Sequence, residues 1–129
     1  MRIGDYVRAK VNDYERNTII ITKLNYFAYN NLISVEDSEL LLGNESIIKS
    51  SSNIIDLIEV GDYVNGVLIN DIDIYPSGKV VGYRNSEDLW EYDFKNNEIK
   101  SIVTKEQFKD IQYKVNGGDE EDVKWIKKT

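Results

Sequence analysis

The sequence predicts a mostly β protein built from two tandem SH3-like small barrels with a short C-terminal appendage. Three observations predict this fold. The segment Ile3-Gly4-Asp5-Tyr6-Val7 recurs 57 residues later as Val60-Gly61-Asp62-Tyr63-Val64. Short apolar runs are separated by turn-forming residues. Apolar and polar residues also alternate along 89–95, which is the two-residue period of a half-buried strand.

A second match in the same order supports an internal duplication. Ile47-Ile48-Lys49-Ser50 precedes an apolar segment at 52–58, and Ile99-Lys100-Ser101-Ile102 precedes a related segment at 104–113. Self-similarity at a fixed spacing indicates repeated structural units. The sequence therefore predicts a first barrel over residues 1–58, a second over 59–115, and an appendage over 116–129.

The elements of the second copy follow from its turns. Strands are expected over 67–73, 79–84, 89–95 and 98–103, with a closing strand over 111–115. Tyr75-Pro76-Ser77-Gly78 predicts a turn, because Pro suits its second position and Gly accepts a positive φ. Asn96-Asn97 predicts a tight hairpin. Thr104, with Gln107 three residues later, predicts a capping box before a short helix over 105–109.

The first copy is less regular. Its strands are expected over 3–11, 18–24, 26–35, 46–50 and 58–60, and 38–44 fits either a strand or a helical turn. In both copies of the repeated segment, Gly is expected to make the bend, Asp to hold it by a local hydrogen bond, and Val to enter the core. No Pro- or Gly-rich linker separates the copies, so they are expected to pack rigidly. The appendage fits either a short helix, with its acidic residues first and basic residues last, or a disordered tail.

Composition excludes several classes of chemistry. The 129 residues include no His and no Cys. These absences remove disulfides, thiolate nucleophiles, histidine general bases and most zinc sites. No run of apolar residues is long enough to span a bilayer, and no secretory signal is visible. We therefore expect no cofactor and no membrane association.

The charge balance restricts the partners. The chain carries 23 acidic and 16 basic side chains, a net charge of −7. A nucleic acid is disfavoured as a partner, because binding one requires Lys and Arg along the phosphates. The acidic excess fits a protein with a basic surface, or serves only solubility. The best acidic run, with carboxylates that could imitate a phosphate backbone, comprises Glu87, Asp88, Glu91 and Asp93.

Aromatic residues supply the candidate contacts. Tyr26, Phe27 and Tyr29 are so close in sequence that they cannot all point inward from one strand, and exposed Tyr is a common interface anchor. The predicted protein-binding residues are therefore Tyr26, Phe27, Tyr29, Glu87, Asp88 and Glu91. Trp90, Tyr92 and Phe94 are expected on one strand face, either as core or as a stacking platform. Because each small barrel is filled by its own strands, no cleft of drug-sized volume is expected.

Asp71 and Asp73 share a strand face and have two interpretations. They could bind a hard cation or act as an acid–base pair. No further oxygen ligands follow at a recognisable spacing, so a solvated strand face is the simpler interpretation. No catalytic or metal-binding residue is therefore predicted.

The repeated Gly-Asp-Tyr-Val segment, the stretch 47–66 and the segment 99–108 resemble a group of uncharacterised small proteins from clostridial phages and prophages. The resemblance covers roughly residues 1–10 and 47–115 and brings no activity with it. It implies a mobile-element setting in the bacterial cytoplasm, where small acidic proteins often bind host machinery. The leading hypothesis is a non-enzymatic protein that engages a host protein, with anti-CRISPR-like inhibition of a defence or nucleic-acid enzyme as one form. The alternatives are a nucleic-acid-binding tandem barrel and a carboxylate- or metal-dependent enzyme.

Overall fold

The computed structural model describes residues 1–13 and 16–109. Strands make up 47% of these residues and helical segments 17%. The prediction of a mostly β protein is therefore confirmed. The predicted closing strand over 111–115 and the appendage over 116–129 lie outside the described residues.

A four-stranded antiparallel sheet dominates the N-terminal part. Its strands are β1 (Tyr6–Asn12), β2 (Asn17–Phe27), β3 (Ile33–Val35) and β4 (Ile47–Ser51), in the spatial order β3-β2-β1-β4. Every second residue of β2 is buried from Thr18 to Leu24, as expected for a strand with one face on the core. The first core cluster consists of Val7, Ala9, Val11, Ile20, Leu24, Ile33, Val35 and Leu42.

Two three-stranded antiparallel sheets form the C-terminal part. One contains β5 (Tyr63–Val64), β6 (Val67–Leu68) and β10 (Ile102–Val103), in the order β10-β5-β6. The other contains β7 (Asp71–Tyr75), β8 (Gly78–Arg84) and β9 (Trp90–Phe94), in the order β7-β8-β9. Within residues 1–13 and 16–109 the three sheets stay open, and no closed barrel forms.

Four predicted strands and one predicted hairpin are wrong. The strand predicted over 98–103 is reduced to Ile102–Val103, because Glu98 belongs to a 3-10 turn and 99–101 form no strand. The predicted strand over 67–73 is split between β6 and β7, which belong to different sheets. The one over 26–35 is interrupted by a 3-10 turn at Tyr29–Asn31, where Asn30 and Asn31 have φ of 56° and 61°. Residues 58–60 form no strand. Asn96-Asn97 belongs to the 3-10 turn Asn96–Glu98, which passes the chain from one sheet to another.

The two copies of the repeated segment adopt the same turn. Gly4 and Gly61 both have positive φ, 89° and 101°. The N–H of Gly4 donates to the Leu24 carbonyl at 2.9 Å, and the N–H of Gly61 donates to the Ile69 carbonyl at 2.8 Å. Only glycine adopts such φ values without steric cost. The predicted bend is therefore confirmed in both copies.

The aspartates act as predicted within each turn. The Asp5 carboxylate accepts a 2.8 Å hydrogen bond from the Arg2 N–H. The Asp62 carboxylate accepts one of the same length from the Glu59 N–H. The strand after each turn pairs in the same way, β1 with β2 and β4, and β5 with β6 and β10. Duplication remains a prediction, but this pattern of pairing is common to both halves.

A buried ionic network joins the two halves. Arg8 of β1 is 2% exposed, and its Nη1 and Nη2 donate to the two carboxylate oxygens of Asp62, which is fully buried, at 2.6 and 3.1 Å. Nη1 also donates to the Leu57 carbonyl at 3.1 Å, and Nη2 to Glu106 at 2.8 Å. Burial lowers the pKa of Arg8, but the hydrogen bond and charge of Asp62 outweigh it, so the net pKa is raised. Arg8 is therefore held charged in the interior.

The second core cluster also draws on both halves. It contains Ile55, Ile58, Val64, Ile69 and Val81. Ile21 of β2 packs against it from the first sheet. The hydroxyl of buried Thr104 donates to the Ile19 carbonyl at 2.5 Å. The last turn of the described chain is thereby fixed to the first sheet.

Candidate protein-binding surface

The aromatic hairpin, residues 26–32 at the far end of β2, carries three exposed rings. Tyr26, Phe27 and Tyr29 are 53%, 51% and 72% exposed. Tyr26 and Phe27 pair with Ser34 and Ile33 of β3. The N–H of Ala28 donates to the Leu32 carbonyl at 2.8 Å, which closes the loop around Tyr29. The rings are therefore held on a hydrogen-bonded hairpin.

The strand register explains why these rings are exposed. β1 begins at Tyr6, which pairs with Lys23, so the last three residues of β2, 25–27, have β3 as their only ladder partner. A register shift between Leu24 and Tyr26 interrupts the alternation of burial. β2 therefore extends past the four-stranded sheet, and neither face of its end is covered by the core.

An acidic loop, residues 36–40, follows β3 and was not singled out in the sequence. The N–H of Asp37 donates to Thr22 Oγ1 at 3.2 Å, and Arg16 donates to the Asp37 carbonyl at 2.6 Å. Arg16 also forms an ion pair with Asp13 at 3.3 Å. These contacts fold the loop back along β2 and leave an open cleft of about 580 Å³. Its lining consists of Asp13, Arg16, Glu36, Asp37, Ser38, Glu39 and Leu40.

The other predicted acidic residues lie on a different sheet. Glu87 and Asp88 occupy the turn between β8 and β9, and Glu91 lies on β9; all three are exposed. The Asn85 side chain accepts hydrogen bonds from the N–H groups of Glu87 and Leu89, at 2.9 and 3.1 Å, and fixes this turn. The predicted binding residues therefore form two separate groups: the aromatic hairpin on the first sheet and an acidic turn on the third.

Asp71 and Asp73 converge on Arg84. The Arg84 Nε forms an ion pair with Asp71, and Nη2 bonds to Asp73 at 2.5 Å. The guanidinium also lies 3.8 Å from the centroid of the Trp90 ring, a cation–π contact. Desolvation lowers the pKa of Arg84, but the hydrogen bonds that Arg84 donates to Asp73 and Asp71 outweigh it and raise the pKa. These two carboxylates therefore form ion pairs with a partly exposed Arg84.

The prediction that Trp90, Tyr92 and Phe94 share one face is wrong for Trp90. Phe94 pairs with buried Val81 and packs against the second core, while Tyr92 is 54% exposed. The register shifts between Tyr83 and Arg84, so Trp90 lies opposite Arg84. A β-bulge of this kind redirects side chains across the sheet.

Gly82 makes room for the redirected ring. A Cβ at Gly82 would lie 2.8 Å from Trp90 Cζ3, and Gly82 pairs with Asp71 and Asp93. Trp90 therefore lies on the face that carries the Arg84 ion pairs, opposite the core.

The expectation of no sizeable cleft is also wrong. Besides the cleft at the acidic loop, a second cleft of about 450 Å³ lies between the 3-10 turn Ile54–Leu57 and the β7–β8 turn. Because the three sheets do not close into a barrel within the described residues, the loops between them border open clefts. In a closed barrel, side chains would fill this space. Both clefts have volumes in the range of small-molecule sites, roughly 300–1,000 Å³.

Comparisons with protein-family models, curated proteins and solved structures found no match to this chain. Within the described part of the chain, no group of three or more carboxylates is arranged to hold a metal ion. No described helix is both long and apolar enough to cross a bilayer.

Proposed function

We propose that this protein is a non-enzymatic binding protein of phage or mobile-element type that engages a host protein with a basic surface. The observation that carries the proposal is the aromatic hairpin, where Tyr26, Phe27 and Tyr29 are each more than half exposed. Exposed aromatic residues on a hydrogen-bonded scaffold lose little conformational entropy on binding and are enriched among interface hot spots.

The charge balance supports the choice of partner. The acidic loop leaves β3 at the end away from the aromatic rings and contacts Thr22 and Arg16, so it adds negative charge toward the other end of β2. The chain as a whole has a net charge of −7. A basic partner surface would be attracted to the acidic chain over long range and would then bury the aromatic side chains.

The finer architecture is part of the proposal. We infer two tandem SH3-like units, with the repeated segment as the first strand of each. The shared turn and the pairing of that strand with the last described strand of its own half support this arrangement. In small β units of this kind, loops and hairpins form the binding surfaces, and the interior is filled by packed core side chains. A cytoplasmic location in the bacterial host accompanies the proposal.

The test is a double substitution with a matched control. A partner is captured from host lysate by crosslinking, purified, and its affinity measured for wild type, Tyr26→Ala/Tyr29→Ala and Tyr92→Ala. Tyr92 is 54% exposed but lies on the third sheet. We expect the double variant to bind at least about tenfold more weakly, roughly 1.4 kcal/mol or more. Its melting temperature should stay close to that of wild type, and Tyr92→Ala should bind normally.

Two outcomes would contradict the proposal. One is unchanged affinity of the double variant for the purified partner. The other is tight binding of duplex or single-stranded nucleic acid at physiological salt with no protein partner recovered, which would favour the nucleic-acid-binding alternative. A turnover reaction that depends on added Mg²⁺ or Ca²⁺ would instead favour the enzyme alternative.

A further inference from the structure

The second cleft is a basic site on an acidic protein. Two lysines line it, Lys79 of β8 and Lys95 after β9, together with the side chains of Asn53, Ser77, Asn96 and Asn97. Ammonium, amide and hydroxyl groups can all donate hydrogen bonds. The lining includes one carboxylate, Asp56, whose Oδ2 already accepts a 2.6 Å hydrogen bond from Ser51. The cleft therefore offers many donors and little negative charge.

Lys79 forms no direct ion pair with a described carboxylate. Its Nζ donates to the backbone carbonyls of Ile58 and Asp56, at 3.3 and 3.5 Å. Lys49 Nζ donates to the same Asp56 carbonyl at 3.0 Å, which brings the two ammonium groups close together. No described carboxylate forms an ion pair with Lys49, Lys79 or Lys95. Burial first, and the charge of Lys49 second, lower the pKa of Lys79, and the negative charges of Asp56, Glu59 and Asp62 offset this only in part.

Like charges held together at a half-buried position are costly unless an anion compensates them fully, and the carboxylates near Lys79 do so only in part. We propose that this cleft binds the phosphate group of a small molecule, with Lys79 and Lys95 as its cationic contacts. A phosphate monoester carries a charge of about −1.5 to −2 at neutral pH and three acceptor oxygens, which two ammonium groups and the neighbouring amides would satisfy.

The shape of the cleft indicates more than a free ion. Its volume of about 450 Å³ is well above that of a single phosphate group. Ile55 and Val80 also line the cleft and make part of its surface apolar. The uncharged part of a phosphorylated small molecule would lie against these side chains.

The experiment compares two anions and three variants. ¹H–¹⁵N spectra are recorded while inorganic phosphate, and separately adenosine monophosphate, is added at constant ionic strength set by sodium chloride. We expect saturable shifts at residues 53–56, 77–80 and 95–97, with the nucleotide binding more tightly than inorganic phosphate. Lys95→Met and Lys79→Met should each weaken binding at least tenfold. Lys10→Met, at an exposed position on β1, should leave it unchanged.

A second measurement covers the case in which Lys79→Met disturbs folding. In wild type, the ¹⁵Nζ titration of Lys79 should move to higher pH when phosphate is bound, because the anion favours the charged amine. Affinity should fall as pH rises through the Lys79 pKa. The proposal is overturned if shifts are absent or not saturable, if Lys10→Met weakens binding as much as Lys95→Met, or if added phosphate leaves the Lys79 titration unmoved. If inorganic phosphate binds saturably but adenosine monophosphate binds no more tightly, the inference that the ligand is a phosphorylated small molecule is overturned.

Discussion

Single residues divide into those whose partners are near in sequence and those whose partners are far away. The turn at Gly61-Asp62 and the capping box at Thr104 were predictable, because each bond joins residues a few positions apart. The second role of Asp62, as the counter-ion of Arg8 across 54 residues, has no local signal. Crowding predicted that Tyr26, Phe27 and Tyr29 cannot all be buried, but neither the exposure of all three nor the bulge that redirects Trp90 had a local signal.

Asp5 and Asp62 offer a matched test at this scale, because they hold equivalent turns and, of the two, only Asp62 also binds Arg8 and the Lys105 N–H. Removing one partner of a buried ion pair costs about 3–5 kcal/mol, while losing one ordinary hydrogen bond costs about 1 kcal/mol. We expect Asp62→Ala to lower the free energy of unfolding by about 3 kcal/mol, since Glu59 and Glu106 still contact Arg8. Asp5→Ala should cost about 1 kcal/mol. Urea denaturation of both variants measures the difference, and equal losses would show that the Arg8 network adds no stability.

At the scale of elements, the sequence predicted which segments are strands better than where they end. The turn at Tyr75–Gly78 and strands β8 and β9 lie where turn chemistry and alternation placed them. The strand predicted over 67–73 failed because it runs through the polar pair Asn70-Asp71, which interrupts the apolar residues where the chain changes sheet. The helix over 105–109 was predictable because its capping box is local.

Thr104 tests how much that helix start contributes to the fold. Its hydroxyl accepts from the Gln107 N–H at 3.0 Å and donates to the Ile19 carbonyl. Thr104→Val keeps the shape but loses both bonds, so we expect a loss of about 2 kcal/mol in urea denaturation. Thr104→Ser keeps both bonds and removes one methyl group, a loss of about 1 kcal/mol or less. A valine variant as stable as the serine variant would contradict this account.

At the scale of the whole molecule, charge governs how the proposed partner approaches. Glu87, Asp88 and Glu91 are exposed and lie on a different sheet from the aromatic hairpin. We expect reversal of all three to Lys to slow association several-fold at low salt, with little change in dissociation. The difference in association rate between the variant and wild type should shrink as added salt shortens the electrostatic screening length. Stopped-flow measurements with the purified partner test this, and an effect confined to the dissociation rate would place the three residues inside the contact itself.

The two halves share core side chains and a buried ionic network, so we expect them to unfold together. Ile55 and Ile58 precede the repeated segment of the second half yet belong to its core, together with Val64, Ile69 and Val81. A fragment of residues 59–129 lacks those two side chains, and a fragment of residues 1–58 leaves Arg8 without Asp62 and Glu106. We therefore expect each fragment to give a poorly dispersed ¹H–¹⁵N spectrum, while the full chain unfolds in one transition with coincident fluorescence and circular dichroism curves.

A fragment of residues 53–129, which restores both isoleucines, should regain more dispersion than 59–129. Two separate transitions in the full chain, or a well-dispersed spectrum from either short fragment, would show that the halves fold independently despite the shared core.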